Sequence, residues 1–310
     1  MNKRVVVALG GNALIKPGQK GTIYEQFANT RATVASVVKM IQNKWEVVLT
    51  HGNGPQVGAI LLQNEAGRKF VPPMPLGICV AESQGLIGYM IQQCLSNALR
   101  KAGLKKDVVT VITQVLVDKN DPAFTNPTKP IGPYYSDTQA FKLLKDGYQM
   151  MKQKQGWRIV VPSPDPKSIV EADIIRKLVE NDVVVIAAGG GGLPVIEREG
   201  WGLDGREAVV DKDLAAERLG EAVNADTLLI LTDVPCVYLY YGARDQKPLT
   251  NVGVDEIRKY YEDGHFPPGS MGPKVLAAMR FLEAGGKRVI IADIDHGWEA
   301  LNEKIGTIIT

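Results

Sequence analysis

Cysteine is scarce in this 310-residue chain, and histidine and aromatic side chains are few. The three cysteines, Cys79, Cys94 and Cys236, have neither the even count of a disulfide framework nor the spacing of a metal site. Each lies in or beside an apolar stretch, so they are expected to be buried thiols of a reducing compartment. No apolar run approaches the ~18 residues of a membrane span, and a core strand begins by Val5, leaving no room for a leader. A cytoplasmic chain with no membrane partner is the expectation. Lys+Arg 36 against Asp+Glu 34 leaves a net charge of +2 with no dense basic run, which argues against a nucleic-acid partner. Any cationic groups used for function must be concentrated locally.

One further absence concerns chemistry. "RVVVALGGNALI" carries an apolar run, Val5 to Leu9, into Gly10-Gly11-Asn12. A strand ending in glycines can bring backbone N–H groups close to an anion. Yet a Walker A loop needs a lysine beside its glycines, and this turn has none. If phosphate binds here, its counter-charge must come from elsewhere in the chain.

Short β-branched runs alternate with helix-period stretches, as in a mainly parallel sheet covered by helices on both faces. The expected strands are Val5–Leu9, Val47–Thr50, Val108–Thr113, Ile159–Val161, Val183–Ala187, Thr227–Leu231 and Val289–Ala292. The expected helices are Tyr24–Gln42, Glu82–Ala102, Ala172–Glu180, Asp213–Ala222, Asp255–Glu262 and Pro273–Ala284. Pro273 fits a first helical position, and Gly103 and Gly285 fit C′ positions. From Asp118 the text "DKNDPAFTNPTKPIGP" holds Pro122, Pro127, Pro130 and Pro133, which exclude an interior strand or helix. This excursion, reaching about Trp157, is either a lid or surface decoration.

Glycine turns recur at the predicted strand ends. Gly52-Asn53-Gly54 follows the second strand in "THGNGPQVG", Gly189 to Gly192 follow "VVVIAA", and Thr232-Asp233 follow "TLLIL". In an open parallel sheet the carboxyl ends of the strands share one edge, where ligands bind. Together the turns would make a backbone cradle for a small anion. The spacing Gly52-x-Gly54-x-x-x-Gly58 is a loosened dinucleotide fingerprint, but the acid expected roughly 20 residues on is replaced by "FVPPMPLG", which argues against NAD. Lys212 stands between Asp211 and Asp213 at the predicted start of a helix, where acids also serve as ordinary caps. Lys274 lies near another predicted helix start, and Lys129 lies in the proline-rich excursion.

"VALGGNAL", "THGNGPQVG", "AAGGGGLPV", "VDKDLAAERL", "LLILTDVPCVY" and "PPGSMGPKV" occur in this order, and together they resemble the carbamate kinases of the amino acid kinase family. The likeness covers essentially the whole chain. It implies an α/β fold, a three-layer αβα sandwich around a mainly parallel central sheet, plus a small protruding subdomain at about 118–157. Residues 1–212 would form the acceptor lobe and 213–310 the nucleotide lobe of a homodimer. The implied reaction is reversible phosphoryl transfer between ATP and carbamate, with Mg²⁺ carried on the nucleotide and no dedicated protein cage.

Position by position, the resemblance places Gly10, Gly11 and Asn12 at the transferring group and Gly52, Asn53 and Gly54 at the carbamoyl end. It makes Lys212, Lys274 and Asp213 catalytic and brings Lys129 over the acceptor. Thr232, Asp233 and Tyr238 would bind the nucleotide; Met271 would either cap the base or simply pack. Ala8 occupies the position where many amino acid kinases carry a lysine, pointing to the carbamate branch. Carbamate needs no deprotonation before attack, so no general base is expected. His51 is assigned a positional role at most, and His265 and His296 are expected to be solvated. The competing readings are an amino acid kinase with a larger acceptor and a noncatalytic nucleotide sensor.

Overall fold

Six consecutive residues of the first strand, Arg4–Leu9 (β1), are buried, and their alternation builds two cores at once. Val5, Val7 and Leu9 face one side, while Val6 and Ala8 face the other. The computed structural model describes residues 3–310. The other strands of the central sheet are Glu46–His51 (β2), Val108–Thr110 (β3), Val184–Ile186 (β4), Thr227–Thr232 (β5), Asn251–Val252 (β6), Arg288–Asp293 (β7) and Thr307–Ile309 (β8). Their order is β6-β8-β7-β5-β1-β2-β4-β3, and only the β7–β8 pairing is antiparallel among the described residues.

Among the described residues the helices are Ile23–Gln42 (α1), Gly54–Gly67 (α2), Leu76–Lys101 (α3), Asp137–Lys145 (α4), Ala172–Glu180 (α5), Lys212–Ala222 (α6), Val254–Glu262 (α7), Met271–Glu283 (α8) and Gly297–Leu301 (α9). The core of Val5 and Leu9 is closed by α1, α3 and α9. The core of Val6 and Ala8 is closed by α5, α6, α7 and α8. Helix α1 starts where the Thr22 side chain accepts from the Glu25 N–H and Glu25 answers to the Thr22 N–H, a reciprocal cap. Gly103 and Gly285, both at positive φ, stand just past the C-caps of α3 and α8. Pro273 is the third residue of α8 and not its first, because the turn Ser270–Met271 already opens the helix.

Two expected strands lie partly or wholly outside the central sheet. Val108–Thr113 leaves the central sheet after Thr110, and the chain re-enters at Gln114–Val117 in a separate four-stranded sheet. Ile159–Val161 is part of a longer strand, Gly156–Val161, at the centre of a three-stranded antiparallel sheet with Lys129–Tyr135 and Met150–Gln153. Apolar runs of that length read alike whether the covering surface is a helix layer or another small core. The proline-rich strand Lys129–Tyr135 lies at the sheet's edge, where Pro130 and Pro133 cost no interior ladder bond. Ile131, Tyr135, Ile159 and Val161 form a third core with Val57 of α2 and Leu76, Cys79 and Val80 of α3, which seats this protruding layer on the body. All three cysteines are buried free thiols.

Candidate active site

Helix α6 begins at the carboxyl edge of the central sheet, and its first residues converge with the glycine turns. Asp211 is the N-cap, its carboxylate accepting from the Asp213 N–H at 2.9 Å. Lys212 and Asp213 follow as the first two helical residues. The Asp213 carboxylate is nearly fully buried and takes one lysine on each oxygen: Lys212 Nζ on Oδ1, and Lys274 Nζ of α8 on Oδ2 at 3.0 Å. Lys274 also donates to the Ser270 carbonyl at 3.3 Å.

The electrostatics follow from this crowding. Burial opposes the Asp213 charge, but the two ammonium groups outweigh it and hold the carboxyl well below its usual range. Burial depresses Lys212 against the pull of Asp213, whereas the carboxylates around Lys274 overcome its burial and raise it. Asp213 thus holds two cations together at the sheet edge.

The glycine turns face that charge. Gly10 N–H donates to the Leu231 carbonyl at 3.0 Å and Gly52 N–H to the Leu9 carbonyl at 3.1 Å, so the turns follow adjacent strand ends. A side-chain carbon at Gly52 would sit 3.3 Å from Lys212 Cδ and 3.8 Å from the Gly11 nitrogen, which places both turns against this lysine. The side chain of Asn12 lies outside what the structure describes. Gly54 opens α2. Asn53 turns inward, its amide donating to Ser83 Oγ at 2.8 Å.

The run Gly189–Gly192 floors the region, and here the lack of side chains is required. A Cβ on Gly189 would fall 2.3 Å from His51 Nε2, and one on Gly190, at φ +65°, would fall 2.2 Å from the Asn53 amide. His51 is buried, its Nδ1 lies 3.0 Å from the Gly52 carbonyl, and burial lowers its pKa to about 4 despite that bond. A neutral imidazole bracing the second turn agrees with a positional role.

The edge strand Lys129–Tyr135 brings Lys129 to the same place. Its ammonium pairs with the second oxygen of Asp211, so the residue that caps α6 also holds the protruding layer. Asp211 carries no site assignment in the sequence reading, since N-terminal capping already accounted for an acid there.

On the other side of Lys274 a cavity of about 180 Å³ is lined by Thr232, Asp233, Tyr238 and Met271, together with Tyr241 and His265. All four nucleotide candidates thus share one pocket with a catalytic candidate. His265, expected to be solvated, is half-buried: it is part of this wall and is met edge-on by Tyr240 and Tyr260, with ring centroids at 4.9 and 5.6 Å. Tyr260 stands on α7 just before His265 in the sequence, whereas Tyr240 folds in from an earlier segment. His296 is exposed, as expected. Ala8 is fully buried beneath the turn, between Thr50 and Ile230 on the adjacent strands.

The amino acid kinase family model matches residues 3–293. A carbamate kinase of Pyrococcus horikoshii is 57% identical over 314 residues, spanning 100% of both chains. The chain belongs to the carbamate kinase branch of the amino acid kinase family. A second carbamate kinase, from Pyrococcus furiosus, is 56% identical over 99% of each chain. Among solved structures, Giardia lamblia carbamate kinase bound to AMP-PNP superposes with a TM-score of 0.92 at 44% identity, covering 99% of this chain and 98% of that one. The carbamate kinase fold therefore extends over the protruding layer as well as the sandwich.

Proposed function

We propose that this chain is an ATP-linked carbamate kinase, reversibly transferring a phosphoryl group between ATP and carbamate. The observation that carries the reading is the Lys212–Asp213–Lys274 cluster, with the Thr232–Asp233–Tyr238–Met271 cavity on one side and a glycine cradle under Lys129 on the other. Residues 1–212 would hold the acceptor, with the lid at about 118–157, and residues 213–310 the nucleotide. The AMP-PNP in the Giardia relative supports placing ATP in the Lys274 cavity.

Phosphoryl transfer asks the protein for in-line positioning and positive charge around the equatorial oxygens. In the synthetic direction a carbamate oxygen attacks the γ-phosphorus while the bond to the β-phosphate oxygen breaks, releasing ADP. That oxygen is already anionic, so no side chain has to accept a proton. Lys212 and Lys274 would neutralise the transferring group, held at fixed spacing by Asp213. The N–H groups of the Gly10–Asn12 and Gly52–Gly54 turns would add dipoles that need no reorganisation. Lys129 would cover the acceptor.

Mg²⁺ is part of the substrate, as MgATP. The Asp211 and Asp213 carboxylates are committed to lysines and an N–H, so the metal is expected to rest mainly on phosphate oxygens and water. Exposed Tyr24, Phe70, Val71, Ile78 and Tyr89, all within the α1–α3 stretch, supply an apolar surface of the sort a homodimer would cover. No helix among the described residues is long and apolar enough to cross a membrane. We place the enzyme in the cytoplasm, making ATP from carbamoyl phosphate during arginine breakdown. The test is ATP formation from ADP with carbamoyl phosphate, acetyl phosphate and acetylglutamyl phosphate in parallel. Turnover confined to carbamoyl phosphate is expected; turnover confined to either of the others, or ADP binding without turnover, overturns the reading.

A further inference from the structure

Gly58 is the one glycine of "THGNGPQVG" that the site does not use, yet it occupies the most crowded glycine position in the molecule. It lies inside α2, where glycine is disfavoured by about 1 kcal/mol relative to alanine. A Cβ there would fall 2.0 Å from the Gly132 Cα and 2.4 Å from its nitrogen. Both contacts are backbone, so no side chain can rotate away.

Gly132 belongs to the lid strand that carries Lys129 three residues earlier. It stands at φ +70° within the irregularity that breaks the strand's pairing between Ile131 and Tyr135. That bulge pushes the strand's backbone against α2. Arg158 of the neighbouring strand donates to the Gly132 carbonyl at 2.7 Å and holds it there. Beside this contact a groove of about 690 Å³ is walled by Leu61 and Glu65 of α2 and by Lys142 and Leu143 of α4. The lid strand is held by its ladder to Gly156–Val161 and by Ile131 and Tyr135 in the third core, while Gly132 on Gly58 and Lys129 on Asp211 tie it to α2 and to the start of α6.

We propose that the Gly58–Gly132 backbone contact is the pivot that sets the position of Lys129, making Gly58 a positioning residue for the acceptor. This rests on the reading of Lys129 as the acceptor-side lysine. A methyl group on Gly58 forces Gly132 back by about 1.5 Å to reach an ordinary carbon–carbon separation. The strand carries Lys129 with it, and displacements of about 1 Å in a positioned group can cost ~10²-fold in rate. Nothing in this shift touches the Lys274 cavity.

The experiment is a double-mutant cycle on the full chain, with carbamoyl phosphate and ADP as substrates and ADP affinity measured by equilibrium titration. Gly58→Ala is expected to lower kcat/KM for carbamoyl phosphate by about 10- to 10²-fold while ADP affinity stays within about twofold. In a Lys129→Ala background the same change should cost less than about threefold, because the group it displaces is already gone. Gly67→Ala, on the same helix with its nearest neighbour an ordinary 3.8 Å away, is the control expected to behave as wild type. Arg158→Met releases Gly132 without adding atoms to the crowded point; it is expected to give the same acceptor-side loss, again absent without Lys129, and it carries the test should Gly58→Ala fail to bind ADP. Full loss persisting in the Lys129→Ala background, or wild-type kinetics in Gly58→Ala, overturns the pivot alone. Wild-type kinetics in Lys129→Ala overturns the acceptor-side reading beneath it.

Discussion

Replacing Lys212 with alanine separates charge stabilisation from nucleotide binding. The ammonium is largely buried, bonded to Asp213, and its aliphatic stem packs against Gly52. A unit charge at about 4 Å from a phosphoryl oxygen contributes on the order of 4 kcal/mol at the effective dielectric of such a site. Removal of one preorganised donor accordingly lowers kcat by about 10²–10³. Lys212 does not line the nucleotide cavity, so the KM for ADP should change less than about threefold. The fold should tolerate the change, because Asp213 keeps its 3.0 Å partner Lys274 and the burial cost of the Lys212 charge disappears. Lys212→Arg is not expected to restore the rate, since a planar guanidinium beside the Gly52 and Gly11 backbone cannot reproduce a point charge on a flexible stem. The assay is initial-rate ATP formation from carbamoyl phosphate and ADP, with ADP varied. A kcat for Lys212→Ala within threefold of wild type would refute the assignment, as would an effect confined to the KM for ADP.

Lys274→Ala should differ from Lys212→Ala by losing both kcat and ADP affinity, since Lys274 lines the cavity as well as holding Asp213; unchanged ADP affinity by titration would contradict that dual placement. Met271→Ala should raise the KM for ADP by about 10-fold, the scale of one large apolar contact, without altering the carbamoyl phosphate KM. Glu217, fully buried on α6, has no hydrogen-bond partner on either carboxylate oxygen; burial, opposed by Arg218, raises its pKa from 4.5 to about 7. The folded chain therefore keeps a proton that the unfolded chain releases between pH 4.5 and 7, and stability falls as pH rises through that window, by up to about 3 kcal/mol. Glu217→Gln removes the loss: the thermal midpoints of wild type and variant should coincide near pH 4.5 and separate in the variant's favour above pH 7, and a constant difference across that range would exclude the mechanism.

Much of the sandwich could be read from local pattern because each strand end carries its own signal. The apolar run into Gly10-Gly11 and the run into Thr232 need only the steric freedom of glycine and the two-sided burial of a parallel strand to be recognised. Helix α2 was not legible: its first five residues include Gly54, Pro55 and Gly58, which suppress the helical signal, and its position is held by the protruding layer packed on Val57 and Gly58. Ile159–Val161 carried a correct strand signal but nothing to say which sheet it joins, because its partner is the proline-bearing edge strand 24 or more residues earlier. The partial burial of His265 was missed for a related reason, since one of the rings that meet it, Tyr240, comes from a separate segment.

By itself the sequence determined the alternation of strands and helices, the glycine turns at the sheet edge and the presence of lysines able to supply the charge that the first turn lacks. These are properties of single segments, set by periodicity, by backbone freedom and by the types of residue present. Only the tertiary structure decided that Lys212 and Lys274 share one carboxylate, that Asp211 both caps α6 and ties down Lys129, and that Gly58 meets Gly132. Each of those joins residues that are far apart in sequence or face different neighbours, so the distance between charges and the contact between backbones exist only once the layers have packed.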